Sequence, residues 1–121
     1  MLIPKTRTEL LSFIYSAGTN QPAQIQFHSD GGHGWLQVPT SLLDIYGIAH
    51  KISNYSYQDD KFTYLEEDGD LTEFFKAIQL NENKLSQDFW NICPDNYKDN
   101  SPVRRKLHYQ APAPKLQTAL F

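Results

Sequence analysis

The sequence predicts a single α+β domain in which two β-hairpins share an antiparallel sheet and helices pack on one face. Three observations carry this. Two stretches alternate apolar and polar residues on either side of a turn, which is the period of a half-buried strand. Each runs into residues that start helices, followed by apolar residues at helical spacing. The chain has 121 residues, 40% of them apolar and 21% charged, the size and balance of one ordinary domain.

An N-terminal helix over about 7–16 comes first. Thr6 can accept the free amides of its first turn, and Glu9 three residues on can reach back, forming a capping box. Leu10, Phe13 and Ile14 give it an apolar face, and Gly18 is placed to end it. Ile25–His28 then alternates as a strand, Ser29-Asp30-Gly31-Gly32-His33-Gly34 turns the chain, and Trp35–Val38 returns. Pro39 stops that strand. Thr40 or Ser41 caps a short helix over 41–46, which Gly47 closes. The second hairpin pairs Ile52–Tyr57 with Phe62–Glu66, placing Phe62 and Tyr64 on one face and Thr63 and Leu65 on the other. Asp70-Leu71-Thr72-Glu73 is a second capping box, opening a helix over 70–79 with Leu71, Phe74, Phe75 and Ile78 inward.

The two halves echo each other as a ββα-ββα pseudo-repeat, with Trp35-Leu36 matching Tyr64-Leu65 and Leu42 matching Leu71. Leu85, Phe89, Trp90 and Ile92 mark one more short helix. From Pro94 the chain is rich in Asp, Asn and Pro and poor in core residues. The expected organisation is therefore a domain over 1–93 and an irregular, flexible tail over 94–121 that folding does not need.

Two segments carry a resemblance: Asp30-Gly31-Gly32-His33-Gly34-Trp35-Leu36-Gln37-Val38-Pro39, and Tyr55-Ser56-Tyr57 followed by Tyr64-Leu65-Glu66-Glu67-Asp68-Gly69-Asp70. Across about half its length the chain resembles a group of small uncharacterised proteins of bacterial genomes, phages and plasmids that share these patterns. The resemblance implies mobile-element company and carries over no catalytic residue.

Charge and cysteine content narrow the function classes. The net charge is -3, and the one basic cluster is Arg104-Arg105-Lys106, so a dedicated nucleic-acid binder is disfavoured. No apolar run approaches the roughly 20 residues of a bilayer span, and no secretory-type segment stands at the N-terminus, so the expected location is cytoplasmic. A lone cysteine, Cys93, excludes an internal disulfide and reads as a buried, inert thiol.

Two clusters can carry chemistry. His28, Asp30 and His33 surround a glycine-rich turn, and imidazole with carboxylate suits zinc or manganese. The same turn can aim amide groups at an anion as a backbone nest. Its plainer reading is a tight turn whose glycines take positive φ and whose His33 packs on Trp35. Glu66, Glu67, Asp68 and Asp70 can hold Mg²⁺ or Ca²⁺, or simply favour the positive end of the following helix. Were both loops to meet, His28, Asp30, His33, Glu66 and Asp68 would form a metal-dependent hydrolase site for phosphoesters. The preferred reading is a non-enzymatic protein without cofactor, an accessory factor that binds and inhibits a host protein such as a defence component. Its contact surface is expected at Gly31, Gly32, Gly34, Trp35, Tyr55 and Tyr57, since Tyr and Trp anchor protein interfaces.

Overall fold

In a computed structural model, which describes residues 3–15, 22–80 and 84–112, the fold is α+β with a six-stranded open sheet. Helix α1 (Arg7–Tyr15) starts at the expected capping box. The Glu9 amide donates to Thr6 Oγ1 at 3.1 Å, while Glu9 Oε1 accepts the Lys5 amide at 2.9 Å. Gly18, expected to end this helix, lies outside the described residues. Strands β1 (Gln26–Ser29) and β2 (Gly34–Pro39) form the first hairpin, and α2 (Thr40–Ile45) follows at once. Gly47 closes it at φ +70 and is the one glycine with positive φ among the described residues. The turn glycines Gly31, Gly32 and Gly34 therefore serve other purposes.

A single 3₁₀ turn (Ala49–Lys51) leads towards β3 (Tyr57–Gln58), which pairs with β4 (Phe62–Glu66). The expected strand over Ile52–Tyr57 shrinks to its last residue plus Gln58, and the reason is Asp70. Its buried carboxylate accepts the Ser53 amide and hydroxyl and, at 2.6 Å, the Ser56 hydroxyl. Those bonds hold 53–56 in a turn, with Ser56 N–H on the Ser53 carbonyl, and withdraw it from the ladder. Asp70 accordingly opens α3 (Asp70–Ala77) without capping it; Gly69 precedes the helix and its carbonyl accepts the Thr72 and Glu73 amides. Thr40 likewise does not cap α2, because its hydroxyl bonds Thr63 Oγ1 at 2.8 Å. The order hairpin-then-helix occurs twice, yet the halves are unequal: β3 has 2 residues against 4 in β1.

The largest correction concerns the segment after Cys93. Helix α4 (Leu85–Ile92) crosses to β5 (Asp95–Tyr97), which lies parallel to β1, so the sheet is mixed rather than antiparallel. A 3₁₀ helix (Pro102–Arg105) and β6 (Leu107–His108) follow, and β6 pairs with β3. The strand order is β5-β1-β2-β4-β3-β6, so the expected tail supplies both edges of the sheet. Short polar strands bury little, but their backbone groups find partners: Phe27 N–H donates to the Pro94 carbonyl, and Tyr109 N–H to that of Ser56. Of the expected tail, 113–121 lie outside the described residues.

Strand alternation gives the sheet two unlike faces. Leu36, Val38 and Leu65 join Leu10 and Ile14 of α1, Leu43 of α2, Phe74 of α3 and Phe89 of α4 in the main core. On the opposite face Trp35 and Tyr64 form a second cluster with Val103, flanked by Tyr57 and Phe62. Val103 belongs to a strap, Ser101–Lys106, that lies across this second face.

Candidate functional site

The strap is fastened at two carboxylates, one in each hairpin turn. Asp30 opens the first turn, its N–H on the His33 carbonyl, and its Oδ1 accepts the amides of Gly32 and His33 at 2.9 and 3.0 Å. Arg104 closes on the same carboxylate with both arms, Nε to Oδ2 at 2.6 Å and Nη2 to Oδ1 at 2.9 Å. The Ser101 amide adds a longer bond to Oδ2. These two turn amides are taken by the protein's own Asp30 side chain, an Asx-type turn in place of the expected anion nest. Arg104, followed by these amide donors, holds the Asp30 carboxyl far below the usual carboxylate range.

Asp59 repeats the arrangement in the second turn. Its N–H donates to the Phe62 carbonyl, Oδ1 accepts the Lys61 and Phe62 amides, and Oδ2 accepts Tyr64 Oη at 2.6 Å and Lys106 Nζ at 3.1 Å. Burial works to raise Asp59, but these four hydrogen bonds together bring it down to about 2. The two anchoring cations of the strap also lie over rings, Arg104 at 5.2 Å from Trp35 and Lys106 at 4.9 Å from Tyr64.

Openings lie beside the strap on the second face. One, about 330 Å³, is lined by His28, Tyr64 and Asn96 of the sheet and by Lys98, Val103 and Lys106 of the covering segment. Another is a groove of about 410 Å³ between the strap and the ends of β2, β3 and β4. Trp35, Tyr55, Tyr57 and His33 give it aromatic walls, Glu66 and Asp68 supply acids, and Arg104 and His108 also line it. The Tyr57 and His108 rings stack at 4.6 Å, Trp35 meets Tyr57 edge-on at 6.0 Å, and His33 tilts against Trp35 at 6.1 Å. His108 is fixed by its Nδ1–H, which donates to the Asn54 carbonyl. Tyr55 at the rim is 74% exposed. Burial first, then the nearby Asp68 and Asp70 charges, push the Glu66 carboxyl up despite the Asp68 amide on its Oε1.

The sequence-based candidates therefore regroup. Trp35, Tyr55 and Tyr57, expected at a binding surface, share the groove with His33, Glu66 and Asp68, expected at a metal. His28 goes to the other opening, its Nε2 on Gln37 Oε1 at 2.8 Å and its ring against Tyr64. Asp30 is committed to Arg104. Gly31 and Gly32 lie exposed on the turn, whereas Gly34 is buried where an added Cβ would collide with the Phe27 ring. What remains of the metal set is His33 with Asp68, joined by Glu67 of the acidic run, all exposed, their ligand atoms within 4.8 Å of one another. Arg104 and His108 stand in the segment expected to be a solvated tail, so the sequence places neither at this groove. Cys93 is a buried thiol whose pKa burial pushes up to about 12. Among the described residues no helix is long and apolar enough to cross a membrane. No protein-family model, curated protein or solved structure matches the chain.

Proposed function

We propose that the protein is a non-enzymatic binding module that engages another protein through the groove lined by Trp35, Tyr55, Tyr57, Glu66 and Asp68. The observation that carries this reading is the grouping itself: exposed Tyr55 and half-buried Tyr57 beside carboxylates, with the buried Trp35 behind them, in one preshaped depression. Tyr and Trp contribute large, stiff contact area to interfaces at small entropic cost. Two of the five groups the hydrolase reading calls on are engaged otherwise, His28 with Gln37 and Asp30 with Arg104. The resemblance to phage and plasmid proteins supports a host protein as the partner and inhibition of it as the consequence.

The test is affinity capture from a bacterial host lysate, followed by reconstitution of the captured protein in purified form. Tyr55→Ala should weaken that complex at least about tenfold, the effect of losing a hot-spot aromatic. It should leave the melting temperature unchanged, because Tyr55 is 74% exposed. A complex indifferent to Tyr55→Ala counts against the groove. Phosphoester turnover with added zinc or manganese, abolished by His33→Ala, would replace the binding reading with the enzymatic one.

A further inference from the structure

Aromatic ring, carboxylate and cation recur on the second face as a set of three. Trp35 has Arg104 above it, closed by Asp30; Tyr64 has Lys106 above it, closed by Asp59. The groove presents the same ring and acid, Tyr57 with Tyr55 beside Glu66 and Asp68, and Glu67 stands next to Asp68. Among the described residues no Lys or Arg forms an ion pair with Glu66, Glu67 or Asp68. The guanidinium that does line the groove, Arg104, is held bidentately by Asp30. Among the described residues the groove's acids are thus left without an ion-paired cation of their own.

We propose that the partner completes this third set: the groove receives the guanidinium or ammonium group of a basic side chain on an exposed segment of the bound protein. The inference rests on the protein-binding reading and names its chemistry. A cation over an aromatic face is attracted by the ring quadrupole, and flanking carboxylates add charge-assisted hydrogen bonds. The same acids repel phosphate, which makes a nucleic-acid strand a poor occupant.

The test is a titration of isotope-labelled full chain, read by amide chemical shifts, with capped Gly-X-Gly peptides in which X is Arg, Lys, citrulline or Phe. The Arg and Lys peptides should shift the signals of Tyr55, Tyr57, Glu66 and Asp68 at millimolar concentration. Citrulline, equal in shape to Arg but uncharged, should bind at least about fivefold more weakly, the size of a partly exposed cation–π and ion-pair contribution. The double variant Glu66→Gln with Asp68→Asn should remove the difference between Arg and citrulline. Equal binding of Phe or citrulline overturns the cationic occupant while leaving a protein-binding groove in place. If no peptide shifts the groove, the inference fails; the broader reading fails only if the reconstituted complex also ignores Tyr55→Ala. Shifts produced by calcium or zinc but by none of the peptides overturn it in favour of a metal site at His33, Glu67 and Asp68.

Discussion

Asp30 and Asp59 occupy the same place in their hairpins and do the same work: each carboxylate satisfies two turn amides and anchors one strap cation. Nothing in the sequence distinguishes such an aspartate from a metal ligand, because both roles need a carboxylate beside a turn. The roles differ in acid. Asp59 falls from an ordinary 3.8 to about 2 on folding, where amide and hydroxyl donors and Lys106 overcome the effect of burial. A depressed carboxylate contributes stability that is fully present above its unfolded pKa and is lost as pH falls through the folded one. Wild-type melting temperature should therefore decline between about pH 4 and pH 2, and Asp59→Asn should flatten that decline. Thermal melts across this window check it, and an unaltered slope in the variant would show that Asp59 is not a folded-state anchor. Gly34 makes a second residue-scale case. Expected at a binding surface, it instead lies under Phe27, whose ring a Cβ would have to displace, with Glu67 Oε2 another 2.9 Å from the same position. Gly34→Ala should cost about 1–3 kcal/mol by overpacking, read as a shift in the denaturation midpoint.

At the scale of elements, the two hairpins were legible because each combines alternation with a turn and a helix start within about 20 residues, the range over which local pattern operates. Trp35–Val38 and Phe62–Glu66 lie where alternation puts them, and the parity of Leu36 and Leu65 against Trp35 and Tyr64 sorts the two faces correctly. β5 and β6 were not legible. They have 3 and 2 residues with no alternation of their own, and their stability comes from partners far away in sequence, β1 and β3. The strap has the same character: Val103 is buried only because Trp35 and Tyr64 form a surface for it. The groove was half legible for this reason, its β-strand residues named and its strap wall overlooked. The correction has a direct consequence. Ending the chain after Asn100 removes Val103, both strap anchors, β6 and the buried Tyr109, so the melting temperature should fall by many degrees. Val103→Ala isolates the packing part and should cost about 1–3 kcal/mol. A truncated chain that melts with the wild type would mean the strap is not part of the folded unit.

For the whole molecule, the two faces of the sheet divide structure from proposed recognition. The helical face is a closed apolar core, and the strap closes part of the other with its own cations, leaving carboxylates and rings at the groove. Groups retained at a binding site tend to be poorly placed for stability, since they are arranged for a partner absent from the free protein. Glu66 is the test of that trade. Its raised pKa means the folded chain binds a proton at Glu66 more tightly than the unfolded chain does. Above its ordinary pKa the carboxylate therefore ionises at a greater cost in the folded state, an unfavourable contribution that grows as pH rises through the raised folded pKa. Glu66→Gln removes the charge yet keeps an Oε1 able to accept the Asp68 amide, and the Glu66 amide remains on the Ser56 hydroxyl. The variant should melt at or above the wild-type temperature at pH 7, while its preference for an Arg over a citrulline peptide declines. The pair of measurements separates two roles that binding data alone would confuse. A Gln variant that is less stable as well as weaker in binding would make Glu66 a structural residue whose loss disturbs the groove. One that is stable and binds unchanged would place the cation's partner elsewhere on the rim, with Asp68 the next carboxylate to change.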